Sequence, residues 1–228
     1  MHRFFVAPGT AAADRFELPA SIAHQVRRVL RLRDGDRIVL LEGDGLAVRC
    51  RLDGDSCEVE AREPASGEPR HRLVICQALI KGNGLERVVR QGTEIGVAAF
   101  ELVLAERCVV RDLSERRLDR LREIAREAAE QAERAQVPTV TAPAPLPNVS
   151  GGESVLLYER HAGLRLGALE RPPGRLIIGP EGGFTPDEVR GAESAGAIVA
   201  GLGERILRSE SVALAAAAVV LSRSGDFA

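Results

Sequence analysis

LIIGPEGGFTPDEVRGAESAGAIVAGLGERILRSESVALAAAAVVL, residues 176–221, decides how the rest of the chain is read. Leu176, Ile177 and Ile178 form an apolar run too short for a helix, and the breaker Pro172-Pro173-Gly174 precedes them, so they predict a buried strand. The loop Gly179-Pro180-Glu181-Gly182-Gly183 follows, and its glycines permit positive φ and let a ligand approach bare backbone amides. Thr185 then stands at an N-cap, Pro186 at the first helical position and Glu188 three residues after the cap, a capping box that starts a helix running to about Gly196. A second small apolar strand over 197–202 ends in another glycine loop, Gly201-Leu202-Gly203. Ser209 or Ser211 is expected to cap a last helix whose body, residues 212–221, has no polar residue. Such a helix must be enclosed by protein on nearly every side.

Strand, glycine loop, capped helix, strand, glycine loop and helix make a nucleotide-type site, with backbone amides at the C-terminal ends of parallel strands. The chain has no GxxxxGK[ST] and no GxGxxG opening a helix, which excludes a P-loop and an ordinary dinucleotide fingerprint. IGPEGGF at 178–184, followed by LGERILRSESVAL at 202–214, resembles the paired signature of SPOUT-class methyltransferases. Within that class it is similar to the ribosomal RNA small-subunit methyltransferase E family, which methylates uridine N3 in 16S rRNA. The family's second motif usually reads LG.R.LR.ETA, from which Ser209, Ser211 and Val212 depart here. The resemblance implies an α/β protein: a C-terminal SPOUT-type α/β domain with a deep trefoil knot that holds S-adenosylmethionine in a bent shape, preceded by a small PUA-like β-barrel RNA-binding domain.

Composition is that of an ordinary soluble protein, 45% hydrophobic and 28% charged over 228 residues. The longest apolar run is half a membrane span and no secretory pattern opens the chain, so a cytoplasmic protein without membrane contact is expected. Cys50, Cys57, Cys76 and Cys108 lack CxxC spacing, which indicates neither a metal site nor a disulfide framework. A formal net charge of −2 gives no global attraction to nucleic acid, so any RNA contact depends on local patches. Of 31 basic residues only Lys81 is lysine; genomic base composition or life at high temperature explains this as readily as the fit of guanidinium forks to phosphate.

Short strands are predicted at 3–6, 16–18, 37–41, 46–52 and 56–61, joined by Asp/Gly turns that suggest a compact barrel. Between them Ser21 is expected to cap a helix to about Leu30 that buries Ile22, Val26, Val29 and Leu30. Arg27, Arg28, Arg31 and Arg33 lie on or just beyond this helix, either as a phosphate-positioning patch or as a solvated face paired with Asp34 and Asp36. Residues 63–69, EPASGEP, have linker composition and place the domain boundary, 1–68 against 69–228. Beyond it strands alternate with helices, the mark of a mostly parallel sheet. Lys81-Gly82 reads as a plain turn or an RNA-facing loop, 114–136 as the longest helix and the proline-rich 138–147 as an extended connection. Glu106-Arg107-Cys108 and the Glu130 to Arg134 segment resemble further motifs of the family, although Ala132 and Gln136 depart from the second.

The resemblance also implies site residues. Leu157, Ile178, Gly179, Glu181, Gly182, Leu202, Gly203, Ile206, Leu207 and Ser211 would hold the cofactor. Arg208 is the preferred stabiliser of charge on the uracil oxygens and Glu210 the candidate proton acceptor, the alternative being a local salt bridge that anchors the loop. Arg3, His24, Arg27, Arg28, Arg31 and Arg134 are the candidate RNA contacts. The partners implied are 16S rRNA, within the small ribosomal subunit, and a second copy of the chain packed against the apolar last helix. Two rivals stand beside this reading: the same fold acting on a ribose 2'-hydroxyl or a tRNA base, and a non-catalytic RNA-binding assembly module.

Overall fold

The structure is a computed structural model that describes residues 1–148, 151, 153–159, 161 and 163–227. The chain forms two compact units: Met1–Glu68 with Ala129–Val137, and Pro69–Ala128 with Pro138–Ala228.

In the first unit β1 (His2–Phe5), β2 (Arg15–Glu17), β3 (Arg37–Leu41), β4 (Leu46–Asp53) and β5 (Ser56–Pro64) form a sheet in the order β1-β3-β4-β5-β2. Only β1 and β3 run parallel. Along β4 the side chains alternate, with Val48, Cys50 and Leu52 buried and Arg51 and Asp53 exposed, as the two-residue period of a strand requires. Phe4, Leu18, Ile22, Val26, Ile38 and Leu40 fill the core on the inner side.

The helix predicted for this unit is not one α-helix. A short α1 (Ala20–His24) passes directly into a π-helical turn, Gln25–Val29, and Pro19 stands at the N-cap where Ser21 was expected. The π turn widens the helix by one residue and shifts the face that a 3.6-residue period assigns. Val26 therefore stays buried while Val29 turns out to 65% exposure, and Arg31 leaves the element at a φ of 56°.

The second unit is built on six parallel strands, β6 (Val74–Ala78), β7 (Ala99–Leu104), β8 (Thr139–Pro145), β9 (Ser154–Leu157), β10 (Arg175–Ile178) and β11 (Ile198–Ala200). Their order is β11-β9-β10-β6-β7-β8. The inner strands β6 and β9 are buried throughout, as continuous apolar runs covered on both faces must be. The extended connection expected over 138–147 is paired into the sheet as β8. Proline is tolerated on an edge strand because its missing donor faces away from the ladder, and β8 sits at the edge with a register irregularity opposite Glu101 and Val103.

The helices are α2 (Gly84–Glu94), α3 (Glu115–Gln131), α4 (Pro186–Ser194) and α5 (Ser209–Arg223). α5 packs on α2, β10 and β6 through Ala213, Ala216, Ala217, Val220 and Leu221. The opposite side of the same helix carries Val212, Leu214, Ala215, Ala218 and Val219, all only half-buried within the chain. All four cysteines are buried and free. Among the described residues no helix is long and apolar enough to cross a membrane.

Candidate functional site

The strand order reverses between β6 and β10: from β6 the chain proceeds through β7 to β8 on one side, and β10, β9 and β11 lie on the other. Loops leaving the C-terminal ends of strands diverge at such a point and leave a crevice. A cleft of about 830 Å³ opens there, lined by the segments that follow β6, β9, β10 and β11. Leu157, Ile178, Gly179, Glu181, Gly182, Leu202, Gly203, Ile206 and Leu207 all line it, together with Arg208 and Glu210. Ser211 is exposed and lies outside this lining.

The glycine loop 179–183 is held from three directions. A Cβ on Gly182 would stand 3.1 Å from the Cβ of Arg107, whose guanidinium donates to the carbonyls of Gly182 at 3.1 Å and Phe184 at 3.3 Å. Gly183 turns at a φ of 67°, and a Cβ there would lie 2.8 Å from a Glu159 carboxylate oxygen, so backbone conformation and space both require glycine. On the third side the Glu181 carboxylate accepts the backbone N–H of Lys81 at 2.8 Å. Where the loop enters α4, the Thr185 Oγ1 accepts from the Glu188 amide at 3.2 Å and the Glu188 carboxylate accepts from the Thr185 amide at 2.8 Å, the predicted capping box. The other oxygen of Glu188 takes the Glu106 amide at 2.7 Å, which places the Glu106-Arg107-Cys108 motif against the same loop. Burial pushes the Cys108 thiol up, so it is no nucleophile at neutral pH.

The second loop is joined to the first through a residue expected only as a cap. Neither Ser209 nor Ser211 caps α5; Arg208 occupies the N-cap and no side chain serves. The Ser209 hydroxyl instead donates to the Gly179 carbonyl at 2.6 Å and accepts from the fully buried Gln77 Nε2 at 2.8 Å. Gly203, at a φ of 129°, has nothing within 4 Å of where its Cβ would be and faces open space.

Charge on the cleft rim is uneven. The Arg208, Arg205 and Lys81 side chains make no hydrogen bond or ion pair among the described residues. Glu210 is 18% exposed and lies 3.9 Å from Arg87, so the expected local salt bridge has a counterpart at Glu210, with Arg87 as the partner. Lys81, Arg87, Arg107, Glu159 and Ser209 were not among the expected site residues. Of these Lys81 carried a signal as the one lysine in the chain, Arg107 as part of the Glu106-Arg107-Cys108 motif and Ser209 as an expected cap, whereas Arg87 and Glu159 carried none.

The first unit sorts the expected RNA contacts. A concavity of about 940 Å³ is lined by His24, Arg27, Arg28 and Arg33. His24, Arg28 and Arg31 are exposed. Arg27 is committed to the fold, with its guanidinium on Asp34 at 2.5 Å and on the Leu32 and Gly54 carbonyls; the Gly54 amide, which donates to Asp34 at 3.0 Å, and the Arg27 guanidinium hold the Asp34 carboxyl below its ordinary value. Two of the expected contacts are engaged within the protein. Arg134 is 2% exposed and forks onto Glu68 at 2.6 and 3.1 Å, and Arg3 is largely covered and paired with Glu133 at 3.1 Å. Both braces are carboxylates distant in sequence; Glu68 takes two donors of the Arg134 guanidinium, whereas Glu133 takes only Nη2 of Arg3 and leaves its buried Nη1 without a partner among the described residues.

Comparison with known proteins agrees with this geometry. Residues 67–221 match a family model described as an RNA methyltransferase domain, and residues 20–61 one described as an RNA methyltransferase PUA domain. A ribosomal RNA small subunit methyltransferase E from Synechocystis sp. is 33% identical over 91% of this chain and 73% of its own length. The protein of that name from Bacillus subtilis is 29% identical over 96% of both. The crystal structure of a ribosomal RNA small subunit methyltransferase E from Neisseria gonorrhoeae bound to S-adenosyl methionine superimposes with a TM-score of 0.88, at 30% identity and 98% coverage of each chain. A parallel sheet with two glycine loops meeting at its switch point, and these likenesses over nearly the whole length, place the chain in the ribosomal RNA small subunit methyltransferase E family of RNA methyltransferases.

Proposed function

We propose that the protein transfers a methyl group from S-adenosylmethionine to N3 of a uridine in 16S rRNA of the small ribosomal subunit, in the cytoplasm and as a homodimer. The observation that carries this is the meeting of both glycine loops in one cleft, with Lys81, Arg205 and Arg208 on its rim unpaired among the described residues. The cleft's volume of about 830 Å³ lies within the range of about 300–1,000 Å³ usual for small-molecule sites. The open space at Gly203 and the backbone groups of Gly179, Gly182, Leu202 and Leu207 fit a nucleoside with a charged tail. When bound, the cofactor supplies a methyl on a sulfonium, already a strong electrophile, so the residues of the chain have to align the nucleophile and control its proton.

Uridine N3 holds a proton at neutral pH and lies on the Watson–Crick edge, so the base enters the cleft unpaired and swung out of its stack. Its deprotonation spreads charge onto O2 and O4. Arg208, whose side chain has no partner among the described residues, stabilises that charge, and Glu210 accepts the proton. His24, Arg28 and Arg31 hold phosphate. The trefoil threading is part of this reading; the main chain beyond β11 is clasped where Gly201 donates to the Leu164 carbonyl and accepts from the Leu166 amide, both at 2.9 Å. The dimer is supported by the apolar stripe of α5, which the described residues leave only half-buried within one chain.

The test is transfer of tritiated methyl to small subunits lacking the modification, followed by nucleoside digestion. 3-Methyluridine is expected. A 2'-O-methylated nucleoside, or label confined to tRNA, would replace this reading with another substrate. Absence of both transfer and S-adenosylmethionine binding by calorimetry would leave an RNA-binding module.

A further inference from the structure

We infer that Lys81 touches the target base and stabilises its deprotonated form, as a second cationic group facing the uracil from the loop opposite Arg208. The inference rests on the proposed uridine methylation. It starts from composition: of 31 basic residues every other one is arginine, so whatever favours arginine in this chain does not act at position 81. A guanidinium is a broad planar fork suited to bidentate acceptors, whereas an ammonium is a compact point charge with three rotatable donors, suited to a single carbonyl oxygen.

The surroundings fix the backbone that carries that ammonium. Ile80, before it, is 1% exposed. Its own amide is tied to Glu181 of the glycine loop at 2.8 Å, and the carbonyl of Gly82, after it, accepts from Arg117 at 2.5 Å. A lysine on a loose turn is a solvated charge; this one has its backbone fixed to the loop that forms one wall of the cleft, and its side chain is left without a protein partner among the described residues. The remaining charges on the rim are otherwise arranged: Arg87 lies by Glu210, the Glu181 carboxylate receives the Lys81 amide, and Arg205 and Arg208 stand on the loop after β11.

The chemistry has a place for two cations. Loss of the N3 proton to a base leaves negative charge shared by N3 and the flanking O2 and O4. The N3 lone pair then forms the N–C bond as the S–C bonding pair returns to sulfur. One carbonyl stands on each side of N3, and unpaired cations stand on two different loops of the cleft: Lys81 serves one carbonyl and Arg208 the other.

The experiment compares the full-length wild type with Lys81→Met and Lys81→Arg, measuring single-turnover methyl transfer to small-subunit RNA between about pH 6 and about 10, with S-adenosylmethionine affinity by calorimetry as the control for folding and cofactor binding. Expected for Lys81→Met is unchanged cofactor affinity and a loss of about 10²–10³-fold at neutral pH. That loss should shrink as pH rises, and RNA carrying 5-fluorouridine, whose N3–H is more acidic, should recover much of it. Lys81→Arg should fall between the two. A loss equal at every pH and indifferent to fluorine, an unchanged rate, or weakened cofactor binding would each overturn the assignment. Wild-type protein that forms no 3-methyluridine would instead overturn the function beneath it.

Discussion

Arg208 and Glu210 sit two residues apart at the start of α5, yet their surroundings separate their tasks. Among the described residues the Arg208 side chain has no partner, whereas Glu210 is mostly covered and has Arg87 at 3.9 Å. Removing an unpaired charge stabiliser leaves ground-state binding alone, so Arg208→Ala should lower the methyl-transfer rate by about 10²–10³-fold without changing S-adenosylmethionine affinity. Glu210→Gln should lower it by about 10²–10⁴-fold and remove a limb of the pH–rate profile. Single-turnover rates across pH would decide, and unaltered rates in both variants would return these residues to a structural role. The residues legible in the sequence were those whose local neighbours define them: the glycines of both loops, Thr185 and Glu188. Those that escaped depend on distant partners. Ser209 looks like a cap but serves Gln77, 132 residues earlier, and Arg134 looks like a ligand but is braced by Glu68, 66 residues earlier.

At the scale of elements, α4 shows how helix and cofactor loop depend on each other. Its capping box ends the glycine loop, and Thr185, 8% exposed, also donates to Glu106 at 3.4 Å. Thr185→Ala leaves the first turn of α4 without that acceptor, a change that costs about 1–2 kcal/mol. Urea denaturation should show it as a lowered midpoint at unchanged slope, with Thr185→Ser largely restoring stability. A larger loss of S-adenosylmethionine affinity than of stability would mean that the cap's main task is to position the loop. Two elements could not be read from pattern. The π turn after α1 has the composition of ordinary helix, and only packing sets where the extra residue enters. β8 contains Pro143 and Pro145, which deny it as a central strand; its place at the edge depends on how the whole sheet is ordered.

For the whole molecule the decisive feature is a helix whose composition and burial disagree. Residues 212–221 are apolar on every side, but the chain buries only the side bearing Ala213, Ala216, Ala217 and Val220. The other side presents Ala215, Ala218 and Val219 at intervals of three and four, a continuous stripe of small side chains that lets another backbone come close. Self-association through a two-fold axis covers such a stripe with its own copy and brings the same residues together on the axis. Ala215→Arg places a guanidinium there on each partner, where the charges repel each other and lack acceptors. Sedimentation should then find a monomer for the variant against the proposed dimer for the wild type, with far-ultraviolet circular dichroism unchanged, because position 215 does not face the core of its own chain. Val212 lies on the same outward side and lines the cleft, so monomerisation should weaken S-adenosylmethionine binding as well. A variant that stays dimeric would move the interface elsewhere, and a monomer with full cofactor affinity would show that the cleft is complete within a single chain.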